Sequence, residues 1–327
     1  FPLAIPSWKV FPALICGNGI VFKPAEDTPL LATLFIQILE EAGVPGGVLN
    51  MVTGYGEEAG QPLLEDPRVR MISFTGSSEV GRLIGAETGK RLTRCSLELG
   101  GKNAIVVMGD ADIDLVVEGA LWGGFGTSGQ RCTASSRLIV DRSIAAKVTE
   151  ALTERVRALT IGDGLDPATQ VGPVINQEQL DRVDNYTAIG KSEGARLLAG
   201  GERLGARHDG GYFYAPTLFD QVTPGMRIAQ EEIFGPVLAV TSFDGYDEGI
   251  AIANDTLYGL GAGVWSRNGN VAYRAGRDIQ AGRVWINNYH AYPAGAAFGG
   301  YKSSGIGREN SRLALDHYQQ TKNLLVS

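Results

Sequence analysis

The chemistry of this chain starts at one thiol. Residues 126–136 read GTSGQRCTASS, and Cys132 stands there among glycines, serines and a glutamine rather than among leucines. A buried structural cysteine behaves as a small hydrophobe and keeps apolar company. Gly126 and Gly129 let the backbone near Cys132 come close to whatever faces the sulfur, and a peptide N–H can point at it. The surroundings suit a working thiolate, although a loop cysteine without a chemical role has the same local spelling.

Other polar groups collect where apolar runs end. FKPAED puts Lys23 and Glu26 behind GIVFKP; a carboxylate there accepts both hydroxyls of a ribose and repels a 2′-phosphate, with solvated surface charge as the alternative. GYGEEAG carries Gly54, Gly56 and Gly60, one residue longer than the usual dinucleotide fingerprint. FTGSSEVG sets Gly76, Ser77 and Ser78 before a helix start, where free N–H groups and the helix dipole favour a phosphate. An ordinary capped turn explains the same residues equally well.

These groups need a frame that delivers loops to an edge, and alternation of elements provides one. GIVFKP reads as a strand; Asp27 or Thr28 caps a helix with Pro29 in its first turn, Leu30, Leu31, Leu34, Phe35, Ile38 and Leu39 recur at helical spacing, and Gly43 closes it. VLNMVTG then a helix near EEAGQPLLE, VRMISFTG then a helix from Ser78 through Gly85, and NAIVVMG before DIDLVVEGALWGGF repeat the pattern. Strands alternating with helices give an α/β fold with a mostly parallel sheet covered on both faces, and ligands are expected at the carboxyl ends of its strands.

The bulk composition narrows the function. A chain of 327 residues exceeds one ordinary core, so two domains or one large α/β unit are expected. The 45 glycines follow no triplet period and read as turns and close approaches, not collagen. A net charge of −7 offers no basic face to nucleic acid or an acidic membrane, and no apolar run is long enough to span a bilayer. Cys16, Cys95 and Cys132 are odd in number and far apart, which argues for a reducing, cytoplasmic setting; His208, His290 and His317 make no zinc pattern. FPLAIPSWKV begins without a methionine, as though cut in mid-strand, so an upstream segment with any targeting signal is expected to be missing.

Taken in order, FKPAEDTP, FTGSSEVG, SLELGGKNAIVV, GQRCTASSR, EEIFGPV and FGGYKSSGIGREN resemble the aldehyde dehydrogenase superfamily, over essentially the whole chain. The resemblance implies a Rossmann-like cofactor domain, incomplete here, over residues 1–100 and a second α/β catalytic domain over 101–300. It also implies a return to the cofactor domain over 301–317 and an oligomerisation strand over 318–327, hence a homodimer or homotetramer. It makes Cys132 the nucleophile and Glu98 the general base. Lys23 and Glu26 become contacts to the adenosine ribose of NAD, and Gly56 part of a loop suited to a nonstandard cofactor pose. Gly76 and Ser77 contact the pyrophosphate, Glu232 the nicotinamide ribose, and Phe234 walls the nicotinamide ring. Trp8, Tyr292 and Phe298 match tunnel positions, with core packing as their alternative role. Gly126 falls where many relatives carry phenylalanine, so it should widen the passage.

The implied reaction is NAD-dependent oxidation of an aldehyde to the acid, and some relatives with an acid at the Glu26 position also accept NADP. A thiolate makes the carbonyl carbon tetrahedral so that hydride can leave, and a carboxylate then activates water against the thioester. The glutamate at position 98 separates hydrolytic members from coenzyme A-acylating ones. NNYHAYPAGAAFGGYKSSGIGREN looks like the acetaldehyde-oxidising bacterial branch, so short aliphatic aldehydes are expected. In the family an asparagine directly before the FP of residues 1–2 donates to the oxyanion. A chain starting at Phe1 would lack it, which leaves a non-catalytic structural or cofactor-binding fragment as the alternative.

Overall fold

The computed structural model describes residues 1–205, 208 and 210–327. The chain divides into two compact units, the first made of residues 1–99, 292–299 and 305–327, the second of residues 100–291 and 300–304.

In the first unit the segment expected to begin in mid-strand is helical instead. Helix α1 (Ala4–Ile15) carries Pro12 inside and buries Val10 and Ala13. Pro6 falls in the first turn, where its missing N–H is tolerated, and Pro12 interrupts the helix once. Strand β1 (Ile20–Phe22) pairs in parallel with β2 (Leu49–Met51) across helix α2 (Pro29–Glu41), which has proline in its first turn and is followed by Gly43 at φ +94°. Gly56–Gly60 form a π-helical turn that leads into helix α3 (Gln61–Glu65). Strand β3 (Met71–Thr75), helix α4 (Ser78–Lys90) and strand β4 (Arg94–Glu98) make a parallel crossover, and Gly305–Ile306 pair antiparallel to β4. Two small clusters hold this unit, one around Val10, Phe35, Leu39 and Leu49, the other around Leu64, Ile84, Leu97 and Leu99.

The expected strand over 318–327 is not formed: residues 319–327 have no regular secondary structure and are exposed, and Arg94 donates to the carbonyl of Gln319. An extended segment becomes a strand only by pairing with another.

The second unit is built on one seven-stranded sheet. Its elements are β5 (Asn103–Val107), α5 (Ile113–Phe125), β6 (Ser135–Asp141), α6 (Arg142–Arg157), α7 (Gln177–Ser192), β7 (Arg196–Ala199) and β8 (Thr217–Asp220). They continue with α8 (Arg227–Gln230), β9 (Val237–Phe243), α9 (Tyr246–Asn254), β10 (Tyr258–Gly259), β11 (Gly261–Trp265), α10 (Gly269–Asp278) and β12 (Arg283–Ile286). The strand order is β12-β11-β5-β6-β9-β8-β7, parallel except for the β7–β8 pair. All five residues of β5 are buried, as the apolar run NAIVV requires of a strand covered on both faces. Alternation divides them: Ile105 and Val107 pack with Val116, Leu121 and Leu152 from α5 and α6, while Ala104 and Val106 pack with Ile250 and Ala272 from α9 and α10.

Candidate active site

In the second unit, α5 ends at Phe125 and gives way to a single 3-10 turn, Gly126–Gly129, where Thr127 and Ser128 have φ of 56° and 55°. Gly129 follows at φ +69°, and a Cβ added there would lie 2.2 Å from the carbonyl oxygen of Gly235. The thiol loop is therefore packed directly on the FGP turn. Arg131, buried, lies 4.5 Å from the centroid of the Trp122 ring and donates to the carbonyls of Trp122 and Gly123. A Cβ at Gly126 would stand 2.7 Å from the Trp122 ring and 2.9 Å from Arg131 Nη2.

Cys132 is half-buried and present as a thiol. Its carbonyl accepts from Asn103 Nδ2 at 2.7 Å, and the same nitrogen donates to Ala134 O at 2.9 Å. Between them, Thr133 O accepts from the Tyr289 hydroxyl at 3.1 Å and from His290 Nε2 at 2.9 Å. A carbonyl can only accept, so Nε2 carries the proton. Burial, helped by the Arg131 cation, holds His290 down to about 3, and the ring stays neutral at ordinary pH.

LGGKN and EEIFGPV interlock beside this loop. The Gly101 N–H donates to Glu232 Oε1 at 3.0 Å. A Cβ at Gly100 would come within 2.1 Å of Glu232 Oε2, and one at Gly101 within 2.9 Å of Cys132 O, so both glycines are required by close approach. Burial raises the Glu232 carboxyl, against the Gly101 N–H and the Lys102 cation, which lower it. Lys102 is fully buried with no hydrogen-bond partner for its ammonium among the described residues; burial, then the Arg137 cation, draw it down to about 7. Phe234 sits at φ 59°, a strained conformation for a bulky residue, and Gln179 and Arg182 of α7 hold the carbonyls of residues 232–234.

Asn103, Cys132, Phe234 and Gly261 all lie at the amino ends of parallel strands, β5, β6, β9 and β11. This differs from the carboxyl-end expectation, because the loops entering these strands carry the polar groups. In the first unit the candidate residues do lie at carboxyl ends: Lys23 and Glu26 follow β1, Gly54 follows β2, Gly76 and Ser77 follow β3, and Glu98 ends β4.

There, Lys23 Nζ donates to Pro24 O at 2.8 Å and Gly54 O at 3.1 Å and lies 3.4 Å from Glu26 Oε2. A cleft of about 200 Å³ opens beside them, lined by Pro24, Glu26, Pro29, Thr53, Gly54 and Tyr55. Gly56 starts the π-helical turn with open space around its Cα. Ser77 caps α4, its Oγ accepting from Val80 N–H at 3.2 Å, and Gly76 N–H donates to Glu98 O at 3.1 Å. The cleft, the carboxylate at its rim and the start of α4 fit a dinucleotide: an open recess for a ribose, and a helix dipole for the pyrophosphate.

Glu98 is 3% exposed, and neither carboxyl oxygen has a hydrogen-bond partner among the described residues. Burial is the main cause pushing it up to about 9; Lys9 and Arg308 pull it down and Glu309 pushes it up. Lys9 and Glu309 form an ion pair at 2.6 Å, with Glu309 buried. Gly299 closes on the carboxyl, since a Cβ there would meet Glu98 Oε1 at 2.8 Å. Trp8, Tyr292 and Phe298 form a three-ring cluster with centroids 5.1–6.3 Å apart.

Asn103, Lys102, Tyr289, His290, Lys9 and Glu309 were not singled out from sequence. A signal existed for two of them: a polar pair, Lys102 and Asn103, opens an otherwise apolar buried strand, and such groups must be satisfied inside.

The model of the aldehyde dehydrogenase family matches residues 1–324. The chain is 52% identical to an EPTC-inducible aldehyde dehydrogenase of Rhodococcus erythropolis and 49% identical to acetaldehyde dehydrogenase 2 of Cupriavidus necator. Each match uses the whole chain and covers 65% and 66% of those relatives, respectively. An NAD-dependent aldehyde dehydrogenase from Sinorhizobium meliloti superposes with a TM-score of 0.96 at 43% identity, over 98% of this chain and 63% of that one. The betaine aldehyde dehydrogenase of Staphylococcus aureus in complex with NAD+ gives 0.94 at 42%, over 97% and 63%. The chain thus spans just under two-thirds of the length of its relatives, and it belongs to the aldehyde dehydrogenase family.

Proposed function

We propose that the chain carries the catalytic machinery of a hydrolytic, NAD-dependent aldehyde dehydrogenase acting on short aliphatic aldehydes. The observation that carries this reading is the tethered thiol: Cys132 sits on a loop whose carbonyls at residues 132–134 accept from Asn103, Tyr289 and His290 and whose Gly129 is packed on the FGP turn. In this mechanism the Cys132 thiolate adds to the aldehyde carbon, and the carbonyl π electrons move to oxygen. The tetrahedral adduct collapses to a thioester as hydride leaves, and bound NAD is the hydride acceptor. Glu98 removes a proton from water, the hydroxide adds to the thioester carbon, and the thiolate departs, leaving the acid.

Lys23, Glu26, Gly56, Gly76 and Ser77 would hold the adenosine and pyrophosphate part of the cofactor, and Glu232 and Phe234 the nicotinamide end. The carboxylate of Glu26 favours NAD over NADP because it repels a 2′-phosphate. The similarity to acetaldehyde dehydrogenase 2 and the NNYHAYPAGAAF stretch support small substrates. The exposed apolar residues Leu324, Leu325 and Val326 support a homodimer or homotetramer formed through the C-terminal segment.

Cys132→Ala tests the reading. Acetaldehyde-dependent NADH formation is expected to vanish while NAD binding, followed by its effect on melting temperature, persists. Residual turnover in that variant would remove Cys132 from the role of nucleophile. NAD binding without turnover in the unmodified protein would favour the cofactor-binding alternative.

A further inference from the structure

One buried side chain ties the thiol loop at two points. Asn103 opens β5 and is 3% exposed. It uses both N–H donors of its amide, to Cys132 O at 2.7 Å and Ala134 O at 2.9 Å, while its Oδ1 accepts from the Gly261 N–H at 2.9 Å. β5 lies between β6 and β11, so this amide joins the thiol loop, at the entry to β6, to the start of β11. Gly101 leaves it room: a Cβ there would stand 2.9 Å from Oδ1 and 3.0 Å from Nδ2.

The consequence for the sulfur follows from peptide geometry. With Cys132 O directed at Asn103, planarity of the trans peptide turns the Thr133 N–H the other way. The carbonyls of residues 132, 133 and 134 are all engaged by donors, from Asn103, Tyr289 and His290. Their negative ends are thereby fixed and partly neutralised, so they oppose an anion beside them less than free carbonyls would.

We infer that Asn103 is a positioning residue for the nucleophile: its side-chain amide sets the orientation of the Cys132 peptide and, through it, the reactivity of the thiol. This rests on the reading of Cys132 as the reacting thiol. A purely architectural asparagine would support the sheet without altering thiol chemistry.

The test is alkylation of the full chain by iodoacetamide across pH, read separately at Cys16, Cys95 and Cys132 by peptide mass. Asn103→Asp keeps the size and the acceptor for Gly261 but replaces both donors with an oxygen facing two carbonyls. Asn103→Ser shortens the side chain without adding charge. Cys132 of the unmodified protein is expected to react faster than Cys16 and Cys95. In Asn103→Asp its rate at neutral pH should fall at least about tenfold, with a midpoint higher by about one pH unit. Asn103→Ser should lie between, and Cys16 and Cys95 should keep their rates. Should Asn103→Asp fail to fold, Asn103→Ser carries the comparison. A folded variant with an unmoved Cys132 profile, including one that only melts earlier, would overturn the proposal. Equal reactivity of all three cysteines in the unmodified protein would instead overturn the nucleophile reading, and the role of Asn103 with it.

Discussion

The proposed mechanism asks Glu98 to act as a base from a place that keeps it protonated. Burial pushes it up to about 9, so at neutral pH most molecules hold the carboxylic acid, and water activation depends on the small ionised fraction. The hydrolytic rate should therefore rise with pH and level off above about 9. Glu98→Gln should remove that limb and slow acid formation by about 10²–10⁴-fold, while a first turnover of NADH survives as a burst. A stopped-flow trace with no burst in the variant would place Glu98 before hydride transfer rather than after it. Stability moves the other way. A carboxyl raised in the native state binds more protons there than in the unfolded chain from its ordinary value near 4.5 to about 9, so native stability falls as pH rises through that window. Glu98→Gln should flatten this loss, seen as a higher Tm at pH 8 but not at pH 4. Lys9 acts on the same group: Lys9→Met deletes the cation that lowers Glu98 and should shift the activity limb further alkaline.

At the scale of elements, the glycines decide how closely the loops meet. Gly129 has φ +69° and would bring a Cβ to 2.2 Å from Gly235 O, a backbone atom that cannot swing aside. Gly129→Ala should cost about 1–3 kcal/mol of stability from strain and overpacking, measurable by urea denaturation. The same variant should slow Cys132 alkylation, because the thiol loop is displaced. A variant as stable as the parent would mean that the loop and the FGP turn are not rigidly packed. Much of this architecture was legible in the sequence. Strand β5 announces itself as NAIVV, and the helix expected from Ser78 through Gly85 is α4, which runs on to Lys90. Strand β4 ends at Glu98. Other features were hidden because they depend on partners distant in sequence. The amide of Asn103 has meaning only once Cys132 and Gly261 are brought beside it, and the left-handed backbone of Phe234 follows from α7 holding its neighbours. The start was read as mid-strand, whereas burial of Val10 and Ala13 on one face makes helix α1 worthwhile.

For the whole molecule, the two units differ in how their cores are built. The second packs residues on both faces of a seven-stranded sheet, with β5, β6 and β11 almost wholly buried. The first rests on two separate small clusters under a two-stranded and a three-stranded sheet, and leaves Leu30 73% and Ile38 62% exposed on α2. Local opening free energy follows buried apolar contact and backbone pairing. Hydrogen exchange should thus be slowest in β5, β6, β9 and β11 and clearly faster in β1 and β2. Ligand binding stabilises only states that retain the site, by about 2.7 kcal/mol at a hundredfold excess over Kd. Saturating NAD should therefore slow exchange most in residues 53–60 and 76–80, where the cleft and the start of α4 lie, and far less in β7 and β8. Slowing confined to the second unit would move the adenosine end of the cofactor away from Glu26 and Ser77. Equal slowing everywhere would mean that the two units open as one.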